Sequence, residues 1–328
     1  MVEFGLLFIP NMTISRLVHL SKIAEQSHFK YIWIADEDFY RDVYVAMSAI
    51  AVGTSKVFIG PGCTNPYTRH PVTTAIAMAS LQELSGGRAV FAVGSGGLNL
   101  LNPLQIKLKK PLKSIKEFVH VFKSLDSKKE TSFDGETIKI KNVRLSFPFN
   151  KVPVYIACRG PKMLKLAGEI ANGVLLGSVP AEYVKIAREY IEKGLEASQE
   201  KGYFDVANSI IFSVADTRKE AFQMARPYLV YSMAVTPTYV LESVDISPRD
   251  IKPIFEALPD EKKASEKITD EMIEKFAIAG TPAECLKKVK KHIAAGVTQL
   301  VCSAPIGKKI EKAIEILGKT FLKLDNGN

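Results

Sequence analysis

Two neighbouring carboxylates, Asp36 and Glu37, stand immediately after the apolar run Tyr31-Ile32-Trp33-Ile34-Ala35. Adjacent acids raise one another's pKa when both are buried, which suits a group that delivers a proton. In water the same run, Asp36-Glu37-Asp38, is only a solvated acidic turn, and both readings stand at this level. A second candidate is Gly60-Pro61-Gly62-Cys63-Thr64-Asn65-Pro66-Tyr67-Thr68-Arg69, which follows Lys56-Val57-Phe58-Ile59. Its two glycines and two prolines within seven residues bend the backbone and let it approach a flat ring closely; an ordinary strand-to-helix loop has the same composition. Asn65 has either a ligand or a local turn with Pro66 as its partner. Arg159-Gly160-Pro161 opens a helical pattern, where free N–H groups and the helix dipole favour an anion. Gly177-Ser178 taken alone is a turn. His70 either reaches a pocket or ends a helix.

These residues fall where apolar runs end, and strand and helix patterns alternate along the whole chain. The strands expected are Glu3 to Ile9, Tyr31 to Ala35, Val57 to Gly60, Arg88 to Val93, Val152 to Ala157, Gly173 to Leu176, Asn208 to Val214 and Thr298 to Cys302. Eight such units predict an α/β fold, a single (β/α)8 TIM barrel spanning 1–328. An open doubly wound sheet would carry a Gly-rich turn after its first strand, but Phe8-Ile9-Pro10-Asn11 stands there. Two insertions interrupt the repeat. Residues 126–150 contain an Asp134-Gly135 turn before alternating residues, a hairpin signal. Residues 216–279 hold enough helical positions for a small helical excursion over one end of the barrel.

The 328 residues, 47% of them hydrophobic, suffice for a large core. No apolar run is long enough to span a membrane, no signal peptide precedes the first strand, and the four cysteines form no CxxC pair, so a cytoplasmic, reduced protein is expected. The net charge of +9 is a solvated Lys-rich surface or a basic rim that steers an anionic ligand. No nucleic-acid motif accompanies it. The five histidines offer no metal-ligand spacing, and Gly94-Ser95-Gly96-Gly97 lacks the Lys-Ser/Thr of a phosphate loop. With no catalytic triad legible, the chemistry is expected to belong to a cofactor.

Gly60 to Tyr67, Leu81-Gln82-Glu83-Leu84-Ser85-Gly86-Gly87-Arg88, Gly160 to Lys165, Ala279-Gly280-Thr281-Pro282 and Gly296 to Gln299, running on to Gly307, together resemble the bacterial luciferase-like superfamily. Within it they resemble the deazaflavin-dependent methylenetetrahydromethanopterin reductases. The resemblance implies coenzyme F420 on the C-terminal face of the barrel, with hydride transfer to a C1-pterin or a related small molecule. It places a non-proline cis peptide between Gly62 and Cys63, behind the cofactor's tricycle, with Gly62 leaving room for the ring. It gives Thr64 and Asn65 the ring's polar edge, and Arg159, Gly160, Gly177 and Ser178 the phosphate. The family's acids are replaced here by Leu7 and Gly97, and its Asp-His pair by Asp36-Glu37. Asp36 or Glu37 is therefore expected to handle the proton. The alternatives are an FMN-dependent luciferase-like monooxygenase and a non-catalytic flavin-binding relative. Relatives of this kind also lead us to expect a homodimer or a higher homo-oligomer.

Overall fold

Eight parallel strands form the wall of the molecule: β1 (Glu3–Phe8), β2 (Tyr31–Ile34), β3 (Phe58–Pro61), β4 (Phe91–Gly94), β5 (Val154–Ala157), β6 (Gly173–Gly177), β7 (Asp205–Val214) and β8 (Gln299–Ile306). They are seen in a computed structural model that describes residues 2–37, 39–125, 129–148, 150–199 and 202–325. Asp38 of the acidic run and four positions of the 126–150 insertion lie outside the described residues. Pairing runs β3-β2-β1-β8-β7-β6-β5-β4. The ring closes through parallel bridges Ile59 to Ala89 and Thr64 to Val93, with Thr64 N–H donating to the Ala92 carbonyl at 3.1 Å and Gly94 N–H to the Thr64 carbonyl at 2.8 Å. The expected (β/α)8 TIM barrel is the observed fold. The strands are apolar because helices cover their outer face and side chains fill the interior; every residue of β7 is buried.

Sequence signals at the helix ends have physical counterparts. Gly86 and Gly87, at φ of +66° and +93°, turn the chain after helix Pro71–Leu84 in a conformation that L side chains resist. Arg88 then ties this corner together. Its guanidinium donates to the carbonyls of Ala51 (2.9 Å), Thr54 (3.0 Å), Val57 (2.8 Å) and Ser85 (2.7 Å). Thr281 and Glu284 form a capping box at the start of helix Pro282–Ala294. Two of the stretches that carry the resemblance are thus structural corners.

The 126–150 insertion contains the expected hairpin, Thr131–Asp134 against Lys139–Val143. Its turn is clasped by buried Glu117, which accepts from the N–H groups of Glu136, Thr137 and Ile138 and from Thr137 Oγ1. Burial alone would raise this carboxyl; the four hydrogen bonds outweigh it and hold it at about 2. The 216–279 excursion is not wholly helical. After helices Arg218–Ala234, Thr238–Glu242, Pro248–Ala257, Glu261–Glu266 and Asp270–Phe276, the chain returns as a short strand, Ala277–Gly280. It pairs in parallel with Ile211–Val214, the outer half of β7. β7 is long enough to serve β6 along Asp205–Ser209 and this strand above it.

Candidate active site

The barrel brings the ends of β2, β3, β5 and β6, and with them every candidate residue, to its C-terminal face. The Gly62–Cys63 peptide is cis, as expected. The chain itself gives a reason for glycine there. A Cβ at Gly62 would meet Leu7 Cδ1 and Trp33 Cβ at 3.2 Å and Leu175 Cδ2 at 3.6 Å. It would therefore crowd side chains at the mouth of the barrel interior. Gly94 is small for a neighbouring reason, since its Cβ would lie 2.7 Å from Cys63 Sγ. Gly96, at φ +82°, lies against Asn65, whereas Cβ atoms at Gly97 and Gly177 would meet nothing.

Asn65 makes the local turn with one end of its amide and leaves the other end open to a ligand. Its Oδ1 accepts from the N–H groups of Tyr67 and Thr68, both at 3.0 Å, which makes the local turn. Its Nδ2 is buried without a partner among the described residues. A buried donor left unpaired costs about 1–3 kcal/mol, so it points to a group that accepts from it in the working state. Thr64 Oγ1 donates to Asp36 Oδ2 at 2.7 Å and stands 3.1 Å from Tyr44 Oη. Arg69 Nε donates to the same Asp36 oxygen at 3.1 Å, its Nη2 donates to Asp42 at 2.7 Å, and its guanidinium lies 4.4 Å from the Tyr44 ring centroid. Burial pushes the Tyr44 phenol up to about 12. Arg69 and Tyr44 had no signal in the sequence beyond position, because a partner is chosen in space.

Asp36 is thus half-buried and held, while Glu37 is exposed. The condition for two acids to raise one another, burial of both, is not met. Cys63 lies between the two halves of the face. Burial, then Asp36 and Glu37, pushes its thiol up to about 12, and Cys63 in turn helps raise the Cys158 thiol after burial. Both are therefore protonated thiols and poor nucleophiles. His70 is the N-cap of helix Pro71–Leu84, its Nδ1 accepting from Val72 N–H at 3.3 Å.

On the β5 side, the Arg159 guanidinium donates to Thr236 Oγ1 at 3.3 Å and the Val235 carbonyl at 3.2 Å, both in the excursion. No carboxylate pairs with it among the described residues, and burial lowers its pKa. Tyr183 Oη donates to the Arg159 carbonyl at 2.6 Å. Gly160 caps helix Pro161–Ile170 with no side-chain hydrogen bond. A cation without an acid, beside an uncapped helix N-terminus and the open Gly177, fits a phosphate; the unpaired Asn65 amide fits the carbonyl or ring nitrogen of a deazaflavin or flavin.

The chain belongs to the luciferase-like monooxygenase family, whose model matches residues 5–299. Among particular relatives, it is 35% identical to the 5,10-methylenetetrahydromethanopterin reductase of Archaeoglobus fulgidus, over 98% of this chain and 99% of that one. It is 33% identical to the enzyme of that name from Methanolobus tindarius, over 98% and 100%. The solved coenzyme F420-dependent tetrahydromethanopterin reductase of Methanopyrus kandleri superposes with a TM-score of 0.93 at 32% identity, covering 98% of this chain and 99% of that one.

Proposed function

We propose that this chain is an F420-dependent oxidoreductase of the methylenetetrahydromethanopterin reductase type, acting between the reduced deazaflavin and a C1-pterin. The observation that carries the reading is the buried, unpaired Asn65 amide on the loop that holds the Gly62–Cys63 cis peptide. When bound, the deazaflavin supplies a carbon that donates or accepts hydride. Thr64 and Asn65 orient its polar edge. Arg159, Gly160, Gly177 and Ser178 hold its phosphate. Cys63 lies in the backing of the site, with its protonated sulfur over Gly94. Asp36 carries the accompanying proton. Thr64 and Arg69 fix its Oδ2, and Oδ1 has no partner among the described residues. Glu37, exposed at the rim, has a minor part.

The protein works in the cytoplasm as a homodimer. Val45, Val52, Ile76 and Leu84 are exposed on the neighbouring helices Val43–Gly53 and Pro71–Leu84, and a second copy would cover them. Among the described residues no helix is long and apolar enough to cross a membrane.

Fluorescence and calorimetric titration of the purified protein with F420 and with FMN tests the reading. Tight, selective F420 binding supports it and directs turnover assays to methylenated pterins. Preference for FMN moves the chain to oxygen-dependent chemistry. Binding of both without turnover leaves a silent flavin-binding relative. Sedimentation equilibrium reads the dimer directly.

A further inference from the structure

The turn after β6 is gripped from β7 by one buried amide. Asn208, with no exposed surface, donates Nδ2–H to the Val179 carbonyl at 3.0 Å and accepts the Val179 N–H on Oδ1 at 3.5 Å. The same Nδ2 lies 3.3 Å from His292 Nδ1, on helix Pro282–Ala294. An amide nitrogen has two hydrogens, so it serves carbonyl and imidazole together when Nδ1 is the bare acceptor. Burial, then the charges of Lys288 and Lys291, lowers the His292 pKa to about 4, so the ring is neutral and able to accept. One residue earlier, Ser178 adopts φ +48°, the left-handed region, and its N–H donates to the Ser209 carbonyl at 2.6 Å. Side chains other than glycine avoid that region, so Ser178 stays there only because the surroundings fix it. Packing anchors Val179, which is buried. It does not set the direction of the exposed Gly177 peptide or of the half-buried Ser178 side chain; the hydrogen bonds from β7 do.

We propose that Asn208 is a positioning residue for the anion-binding turn Gly177-Ser178-Val179, and that His292 fixes the orientation of the Asn208 amide. The proposal rests on the reading that this turn and Arg159 receive the coenzyme's phosphate. Asn208 and His292 touch no ligand themselves. With the Ser178 and Val179 N–H groups spent on β7, they act by holding the Gly177 peptide and the Ser178 hydroxyl where an anion finds them, which lowers the ordering cost of binding.

The test is a fluorescence titration of wild-type protein, Asn208→Leu and His292→Leu with two probes that differ only in the phosphate: 8-hydroxy-5-deazariboflavin and its 5′-phosphate. Wild type should prefer the phosphorylated probe by about tenfold or more, the worth of charge-assisted bonds to a phosphate. Asn208→Leu should erase most of that preference while binding of the phosphate-free probe changes by less than about twofold, and His292→Leu should erase part of it. Equal weakening toward both probes, or an intact preference in both variants, overturns the proposal, because a fold strut affects the whole site and an idle residue affects neither probe. Wild type that binds the two probes equally overturns the phosphate reading itself. If Asn208→Leu does not fold, Asn208→Asp keeps the volume, replaces the donor with an acceptor and carries the same titration.

Discussion

At the N-terminal end of the barrel, the buried Asp205 carboxylate receives hydrogen bonds from Tyr155 Oη (2.9 Å), Gln299 Nε2 (2.6 Å) and Thr298 Oγ1, and Gln299 Oε1 receives the Trp33 indole N–H at 2.7 Å. At the C-terminal end, Asn65 keeps a buried donor unpaired and Arg159 is a cation without an acid. The closed end has answered its polar groups within the chain, and the open end has left donors waiting. On the proposed function, the difference is between polar groups that hold the fold and polar groups held for a ligand. Mutations at the first end should lower stability, and mutations at the second should lower binding or turnover.

The largest effect should come from Asp205→Ala. It strands Tyr155, Gln299 and Thr298 together and should cost about 3 kcal/mol or more in urea denaturation. A loss below about 1 kcal/mol would break the contrast from its structural side. Asp36→Asn should lower kcat about 100-fold, as loss of a proton carrier does, with a stability loss of about 1 kcal/mol from the weakened Arg69 pair. Unchanged turnover would remove Asp36 from the chemistry. Arg159→Leu should weaken F420 binding about 30-fold or more while thermal unfolding shows equal or higher stability, because an unpaired, desolvated cation has been removed. A lowered melting temperature with intact binding would reverse its assignment. Asn65→Asp keeps the oxygen that makes the turn and replaces the orphaned donor, so the fold should persist and F420 affinity should fall about tenfold. Glu37→Gln should change kcat by less than about twofold, since the group is exposed at the rim; a large loss would restore the pair of acids as a working unit.

The barrel was legible because buried parallel strands are written as apolar runs that end at turn residues, as Tyr31–Ile34 and Gly173–Gly177 do. Ala277–Gly280 was not. It follows helix Asp270–Phe276 with no intervening breaker, and its small apolar residues suit either conformation. The site was legible as stretches at strand ends, and the cis bond fell where the resemblance placed it. The direction of a glycine's missing side chain was not, and the contacts that a Cβ at Gly62 would make with Leu7, Trp33 and Leu175 show only in the fold. Neither were the groups that act in pairs. Asn208 and His292 are 84 residues apart and nothing in either neighbourhood advertises the other.

Those separations have a consequence for the order in which the molecule is made. Arg159 belongs to the first half of the chain, but the Val235 and Thr236 that hold it come 76 and 77 residues later. A chain leaving the ribosome can pair β1 with β2 and β2 with β3 early, since those contacts are near in sequence. Arg159 has to wait for the excursion to be held, and the turn after β6 has to wait for the helix that bears His292. On the proposed assignment of these groups, coenzyme capture is a terminal event, available only to chains whose last barrel units are in place.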